Sequence, residues 1–150
     1  MSLQEKVMTE MKAAMKAKNT VALESLRAIK SAILLAQTDK GGGGELSEDD
    51  EVKLVQKLVK QRKDSATIFM EQGRTDLAEP ELAQVAVIEQ FLPEQLTEEE
   101  IEKVVVQTID SIGASGMRDM GKVMGMVSKE LAGQADGKTI SSIVKAKLSS

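Results

Sequence analysis

Apolar residues recur at helical spacing along almost the whole of this chain, and this periodicity constrains the fold more than any other feature. In residues 101–112, six side chains follow the i, i+3, i+4, i+7, i+8, i+11 pattern of one helix face. The three consecutive valines at 104–106 favour a strand, but six positions in helical register outweigh them. The pattern therefore predicts an all-α fold.

Breaks in the periodicity predict seven helices in two domains. Four helices form an N-terminal helical bundle in residues 1–92, and three shorter ones form a C-terminal module in residues 93–150. The tetraglycine Gly41 to Gly44 is expected to be a mobile loop between the second and third helices. The boundary falls at Leu92-Pro93, because a complete helix start signal follows it at once.

Local signals place the helix ends. Thr97 and Glu100 have the spacing of a capping box, and Ser47 and Asp136 are predicted to cap the third and seventh helices. Gly73 is a predicted stop for the third helix. Since proline removes an interior hydrogen bond, we expect the main part of the fourth helix to begin at Pro80 and to end near residues 91–92.

The methionines fall into two helical stripes that we assign to the core rather than to a binding groove, because both coincide with apolar faces. These stripes are Met8, Met11 and Met15 in the first helix, and Met117, Met120 and Met124 in the sixth. The sixth helix is expected to start near Met117 and to stop at Gly133.

The residue inventory excludes most familiar catalytic chemistry. The 150 residues contain no histidine and no cysteine, so thiolate nucleophiles, histidine-based triads and His- or Cys-ligated zinc are all excluded. The aromatic residues are Phe69 and Phe91, too few for a base-stacking platform. We therefore expect no catalytic residues, no metal and no cofactor.

Two short patterns resemble catalytic motifs, and a structural explanation is preferred for each. Gly137-Lys138-Thr139 looks like the end of a phosphate-binding loop, but the required earlier glycine is Ala132 and no strand precedes it. Ser142 and Lys145 have the Ser-x-x-Lys spacing of acyl-enzyme hydrolases, without the companion motifs. We interpret both as parts of a helix and its cap.

Charge is unevenly distributed in a chain whose net charge is −4. Residues 1–40 carry seven basic and four acidic groups, and residues 117–150 carry six and three. Between them, residues 73–100 have one basic group, Arg74, against eight acidic groups. An anion-binding face is therefore expected at the two ends, separated by an acidic belt.

No apolar run is long enough to span a membrane, and the first residues do not have the apolar core of a signal peptide. The expected location is the cytoplasm, with no membrane partner.

Five stretches in order along the chain resemble the GatB/YqeY family. They are Lys60-Gln61-Arg62-Lys63-Asp64-Ser65, Gly73-Arg74-Thr75-Asp76-Leu77, Phe91-Leu92-Pro93-Glu94-Gln95-Leu96, Asp119-Met120-Gly121-Lys122-Val123-Met124-Gly125 and Gly133-Gln134-Ala135-Asp136-Gly137-Lys138. The resemblance implies an N-terminal helical bundle and a three-helix C-terminal module.

The resemblance also implies a function in translation. It suggests kinship with the tail of the B subunit of tRNA-dependent amidotransferases and with a module appended to some glutaminyl-tRNA synthetases. In those proteins the tail looks like an element that contacts tRNA by shape. The resemblance brings no catalytic residue, so a carbon–nitrogen ligase label with glutamine as amido donor would describe an association rather than chemistry of this chain.

Candidate RNA-binding residues come from the matched basic positions and the glycines near them. They are Lys122, Lys138, Gly121, Gly125 and Gly137, with Arg118, Lys129, Lys145, Lys53, Lys57 and Lys60 as further candidates. The helix starts near Met117 and Asp136 are expected to direct N–H groups at phosphates. The expected partners are tRNA and an amidotransferase or aminoacyl-tRNA synthetase, without DNA. The alternative is a protein–protein adaptor that makes no RNA contact.

Overall fold

The computed structural model describes residues 2–39 and 45–149, and all the regular secondary structure within them is helical. Seven α-helices are present in these residues: α1 (Leu3–Ala17), α2 (Thr20–Asp39), α3 (Glu48–Glu71), α4 (Thr75–Ile88), α5 (Glu98–Ile112), α6 (Met120–Glu130) and α7 (Gly137–Ser149). Short 3-10 turns cover Glu89–Phe91 and Met117–Asp119. The all-α prediction is confirmed, and the tetraglycine loop lies outside the described residues.

The chain divides into two compact units, here called the N-terminal unit (Met1–Leu92) and the C-terminal unit (Pro93–Ser150). Each has its own apolar core. In the N-terminal unit the core is built from α1 to α4, with Val7, Leu26 and Ile29 almost fully buried. In the C-terminal unit it is built from α5 to α7, around residues such as Val105 and Val144.

Helix α3 begins and ends where local signals in the sequence predict. The Ser47 side chain accepts a hydrogen bond from the backbone N–H of Asp50, and the Asp50 carboxylate accepts from Ser47 N. After α3, Gly73 has φ +71°, a left-handed conformation that glycine adopts without strain. The backbone N–H groups of Gly73 and Arg74 then donate to the carbonyls of Met70 and Phe69, which closes the helix end.

Pro80 does not start the fourth helix. Helix α4 begins five residues earlier, at Thr75, and includes the proline in its second turn. The additional turn contributes Ala78, which is 1% exposed, to the interior of the unit. The helix keeps this packed turn although Pro80 cannot donate a hydrogen bond to the turn before it, so the expectation of a start at Pro80 was wrong. The α-helical part also ends earlier than expected, at Ile88, where a 3-10 turn takes over.

The C-terminal unit begins with the expected capping box. Thr97 Oγ1 accepts from Glu100 N at 3.2 Å, and Glu100 Oε1 accepts from Thr97 N at 3.1 Å. The apolar residues on either side of the box contribute to the core, since Ile101 is 2% exposed and Leu96 packs against the same cluster. The valines at 104–106 are helical, as the periodicity predicts.

The methionine stripes are only partly in the core. Met11, Met120 and Met124 pack against the two clusters, but Met8 is 38% exposed, Met15 is 53% exposed and Met117 is 43% exposed. The buried side of α1 is centred on Leu3, Val7 and Ala14, and Met15 lies about 100° further round the helix than Ala14. Met117 belongs to a 3-10 turn that precedes α6. Assigning Met8, Met15 and Met117 to the core was therefore wrong.

Candidate nucleic-acid interface

The outward side of α6 combines small residues with cations. Gly121, Gly125 and Ser128 are exposed and follow one another at i, i+4 and i+7, so they lie on one side of the helix. Lys122 and Lys129 flank this stripe and are also exposed. We call these five residues the α6 face. The opposite side of the helix is held in the core by the fully buried Val123 and Val127.

Neither glycine of the α6 face is required by the packing of the chain. A Cβ atom added at Gly121 or Gly125 would meet no other atom within 4 Å, and neither residue has a positive φ. Glycine in a helix interior nevertheless destabilises it by about 1 kcal/mol relative to alanine. The bare backbone of this helix is thus exposed without any benefit to the fold. Gly137, the first residue of α7, also faces open space.

The positive charge of this region is not neutralised by the carboxylates beside it. Within the described residues, no salt bridge involves Arg118, Lys122 or Lys129. The Asp119 carboxylate instead accepts a hydrogen bond from Ser115 N at 2.8 Å. Because that oxygen is turned to the preceding loop, no side chain caps the first turn of α6.

Helix α7 presents a second exposed stripe. It consists of four exposed residues at positions i, i+4, i+7 and i+11, which are Lys138, Ser142, Lys145 and Ser149. We call these four residues the α7 face. Lys147 lies on another side of the helix, where its Nζ contacts Glu102 Oε1 of α5 at 2.6 Å. No hydrogen bond joins Ser142 to Lys145 in the part of the chain that the structure describes.

The N-terminus of α7 is not an open anion site. Asp136 Oδ1 accepts from Thr139 N at 2.6 Å, so a carboxylate already occupies the position at which a phosphate would bind. This confirms Asp136 as the cap of α7. At this helix start the N–H of Thr139 is therefore paired within the chain and is not directed outward, and Lys138 is considered as part of the α7 face.

The further candidates on α3 belong to the other unit. Lys53, Lys57 and Lys60 are exposed at i, i+4 and i+7 on α3. Lys60 Nζ is 2.7 Å from Asp64 Oδ2, one turn further along the same helix. This stripe is therefore partly neutralised, unlike the α6 face.

Several polar residues in the matched stretches maintain the fold instead of a site. Arg62 Nε donates to Gln84 Oε1 at 2.9 Å, and Gln84 Nε2 is 3.5 Å from Glu24 Oε2, so one chain of contacts connects α3, α4 and α2. Arg74 contacts Asp76 through two hydrogen bonds, which lower the pKa of that exposed carboxyl. Sequence reasoning did not identify the Arg62–Gln84 contact, because its partners are 22 residues apart.

Gln95 is a second residue whose role only the structure shows. Its Nε2 donates to the carbonyls of Pro93 at 2.8 Å and Gly133 at 2.7 Å. Beside it, Leu96 N donates to Gln134 O at 2.9 Å. These bonds attach the segment before α5 to the loop between α6 and α7.

Neither a metal site nor a membrane span is found in residues 2–39 and 45–149. No group of three or more acidic, His or Cys side chains there is arranged to hold an ion. No helix there is both long and apolar enough to cross a membrane.

Comparison with known proteins links almost the entire chain to one family. The sequence profile described as Yqey-like protein matches residues 4–148. The Altered inheritance of mitochondria protein 41 of Pyrenophora tritici-repentis is 32% identical over 132 residues, which cover 87% of this chain and 71% of that protein. The same-named protein of Clavispora lusitaniae is 33% identical over 127 residues, covering 82% and 72%.

Part of an amidotransferase is also similar. The E subunit of the glutamyl-tRNA(Gln) amidotransferase of Thermococcus gammatolerans is 35% identical over 104 residues, which are 67% of this chain. The matched region is 17% of that archaeal protein, so the chain corresponds to a small part of it.

Proposed function

We propose a function for this chain, which belongs to the YqeY-like protein family. The proposal is that the C-terminal unit binds the sugar–phosphate backbone of folded RNA, in particular tRNA, through the α6 face and the α7 face. Its setting is the glutamine-dependent amidation of misacylated tRNA, in which the chain associates with an amidotransferase or an aminoacyl-tRNA synthetase and is not itself the catalyst.

The observation that carries this proposal is the pair of open glycines beside unpaired lysines on α6. Gly121 and Gly125 allow a ligand to approach the helix backbone more closely than any side chain would permit. Lys122 and Lys129 flank them with charges that no described carboxylate neutralises. A surface with backbone access and positive charge suits a phosphate chain.

Recognition of RNA shape fits the composition of the C-terminal unit better than recognition of bases. Both aromatic residues, Phe69 and Phe91, belong to the N-terminal unit, so the C-terminal unit has none on which a base could stack. Lysines and serines on the α7 face extend the set of phosphate-binding groups. We therefore propose contacts that position RNA and do not read its sequence.

The amidotransferase setting rests on the similarity to the archaeal amidotransferase, an enzyme that is named for its glutamyl-tRNA(Gln). The chain spans about a fifth or less of the matched amidotransferase subunits. The proposal therefore transfers a docking role to this chain, and not the reaction of the whole enzyme.

A salt titration of tRNA binding tests the proposal. Lys122→Ala/Lys138→Ala removes one cation from each face, and it should flatten the plot of log affinity against log salt by up to about 2 units. The matched control is Lys53→Ala/Lys57→Ala, which removes the same charge from α3 of the other unit. Affinity is measured by fluorescence anisotropy with labelled tRNA, starting at low salt because the acidic chain is expected to bind weakly.

Two outcomes would contradict the proposal. If the wild-type chain fails to bind tRNA even at low salt, the RNA-binding function is wrong and the protein–protein adaptor becomes the better hypothesis. If the α3 control reduces the salt dependence more than the double change at Lys122 and Lys138, RNA binds elsewhere.

A further inference from the structure

The N-terminal unit contains an acidic groove between α1, the end of α2 and the start of α3. Its volume is 660 Å³, within the range of about 300–1,000 Å³ typical of ligand sites. Its apolar and acidic lining residues are Met8, Ile33, Leu46, Glu5, Glu45 and Glu51. No lysine or arginine among the described residues lines it. We propose that this groove, which is separate from the RNA-binding faces, is a docking site for a basic amphipathic helix of a partner protein.

Two of the three carboxylates are fixed in place by the backbone. Glu5 Oε2 accepts from Ser2 N at 3.2 Å, and Glu51 Oε2 accepts from Leu3 N at 2.6 Å. In each carboxylate one oxygen is therefore held by the backbone of the start of α1. Groups that are already ordered lose little conformational entropy when a ligand binds, and this favours an incoming cation.

The groove remains strongly negative after these contacts are considered. The N-terminus of α1 contributes the equivalent of about half a positive charge near Glu5 and Glu51. The Glu45 carboxylate is exposed and makes no hydrogen bond or salt bridge within the described residues. Three negative charges against this partial positive charge favour a cationic occupant and disfavour RNA, whose phosphates they repel.

The apolar side chains of the groove indicate a helix instead of a small polyamine. Met8 is 38% exposed, and its flexible thioether adapts to different apolar partners. Leu46 also lines the groove and is only partly buried. An amphipathic helix places apolar anchors and lysines on adjacent sides, which matches an apolar floor with an acidic rim.

A designed peptide tests the assignment on the full chain. The probe is a fluorescein-labelled helix of about 15 residues, with leucines on one side and lysines on the other, and its binding is measured by fluorescence polarisation. Glu45→Gln/Glu51→Gln should weaken binding roughly tenfold and reduce its salt dependence. Glutamine at 51 keeps an oxygen that can accept from Leu3 N, so the fold is retained.

Matched variants separate a real groove from general attraction between opposite charges. Glu71→Gln/Glu79→Gln removes the same charge from exposed positions outside the groove and should leave affinity unchanged. Met8→Gln changes no charge and should also weaken binding of the peptide, because it replaces an apolar side chain of the groove with an amide.

Several results would overturn the proposal. The first is that the lysine peptide does not bind at low salt. The second is that both glutamate double variants lose the same amount of affinity for the peptide. The third is that Met8→Gln leaves the affinity unchanged. Equally tight binding of a peptide that has glutamates in place of the lysines would also overturn the proposal. So would displacement of the lysine peptide by tRNA or by spermine alone. Because the groove and the RNA-binding faces lie in different units, neither experiment depends on the outcome of the other.

Discussion

Replacing the two α6 glycines with alanine should stabilise the protein while weakening the RNA binding that we propose. In Gly121→Ala/Gly125→Ala each new methyl group enters open space, so the change creates neither a clash nor a new contact. What remains is helix propensity, which favours alanine over glycine by about 1 kcal/mol in a helix interior. Gly125 is interior, whereas Gly121 is the second residue of α6 and should contribute less.

A combined gain of about 1.5 kcal/mol follows for the C-terminal unit. For a unit of this size, this gain corresponds to an increase of roughly 6–12 °C in the melting temperature. The assay is thermal and urea unfolding followed by circular dichroism at 222 nm. Gly116→Ala is the control with the opposite expected sign, because Gly116 has φ +88° and an alanine there is strained.

The same double variant should bind tRNA more weakly than the wild-type chain, since two methyl groups separate the ligand from the helix backbone. Ser128→Ala on the same α6 face controls for a general change of surface. If the double variant is less stable than the wild type, the glycines have a packing role and carry no information about a ligand. If it is more stable and binds tRNA equally well, the proposed close approach of RNA to the α6 backbone does not occur.

Three further predictions concern the C-terminal unit. Gln95→Ala should destabilise it by about 1–2 kcal/mol, because the carbonyl of Gly133 loses its donor, and urea unfolding measures the loss. The backbone N–H of Thr97 donates to the Glu100 carboxylate, and this bond, together with the Thr97 side chain, lowers the pKa of Glu100. This stabilisation is present above the ordinary glutamate pKa of about 4.3, and it is lost as the pH falls through the lower pKa of Glu100 in the folded protein. Glu100→Gln should therefore reduce the acid sensitivity of the melting temperature. A fragment of residues 93–150 should fold alone as helix, and a random-coil circular dichroism spectrum would refute that.

The helix ends that could be predicted are those fixed by neighbouring residues. The capping box of Thr97 and Glu100 is formed by residues three positions apart, and the stop at Gly73 depends on one backbone conformation. Asp136 is similar, since its carboxylate binds an N–H three residues ahead. Such contacts are complete before any tertiary packing, and so their signals appear in the sequence.

Predictions that depended on distant partners were less successful. Helix α4 includes Pro80 and the turn before it, whose Ala78 is buried, and the sequence near Pro80 does not reveal that burial. Whether Met15 enters the core depends on which side of α1 meets the rest of the bundle. A helical stripe of apolar residues is wider than the contact it makes, so its edge residues cannot be assigned without the neighbouring helices.

In the candidate site, too, some residues have partners within the fold and others have none. This difference indicates which residues of the family-like stretches are informative about function. Gln95 and Arg62 have clear roles in the fold, so their presence in the matched stretches needs no ligand to explain it. Gly121 and Gly125 have no such role, because no atom of the chain lies where their side chains would be. The sequence could identify the lysines beside them, but not that the space above α6 is empty. A helix that is destabilised at two positions, with no internal contact as compensation, is what the proposed use of this surface by a partner predicts.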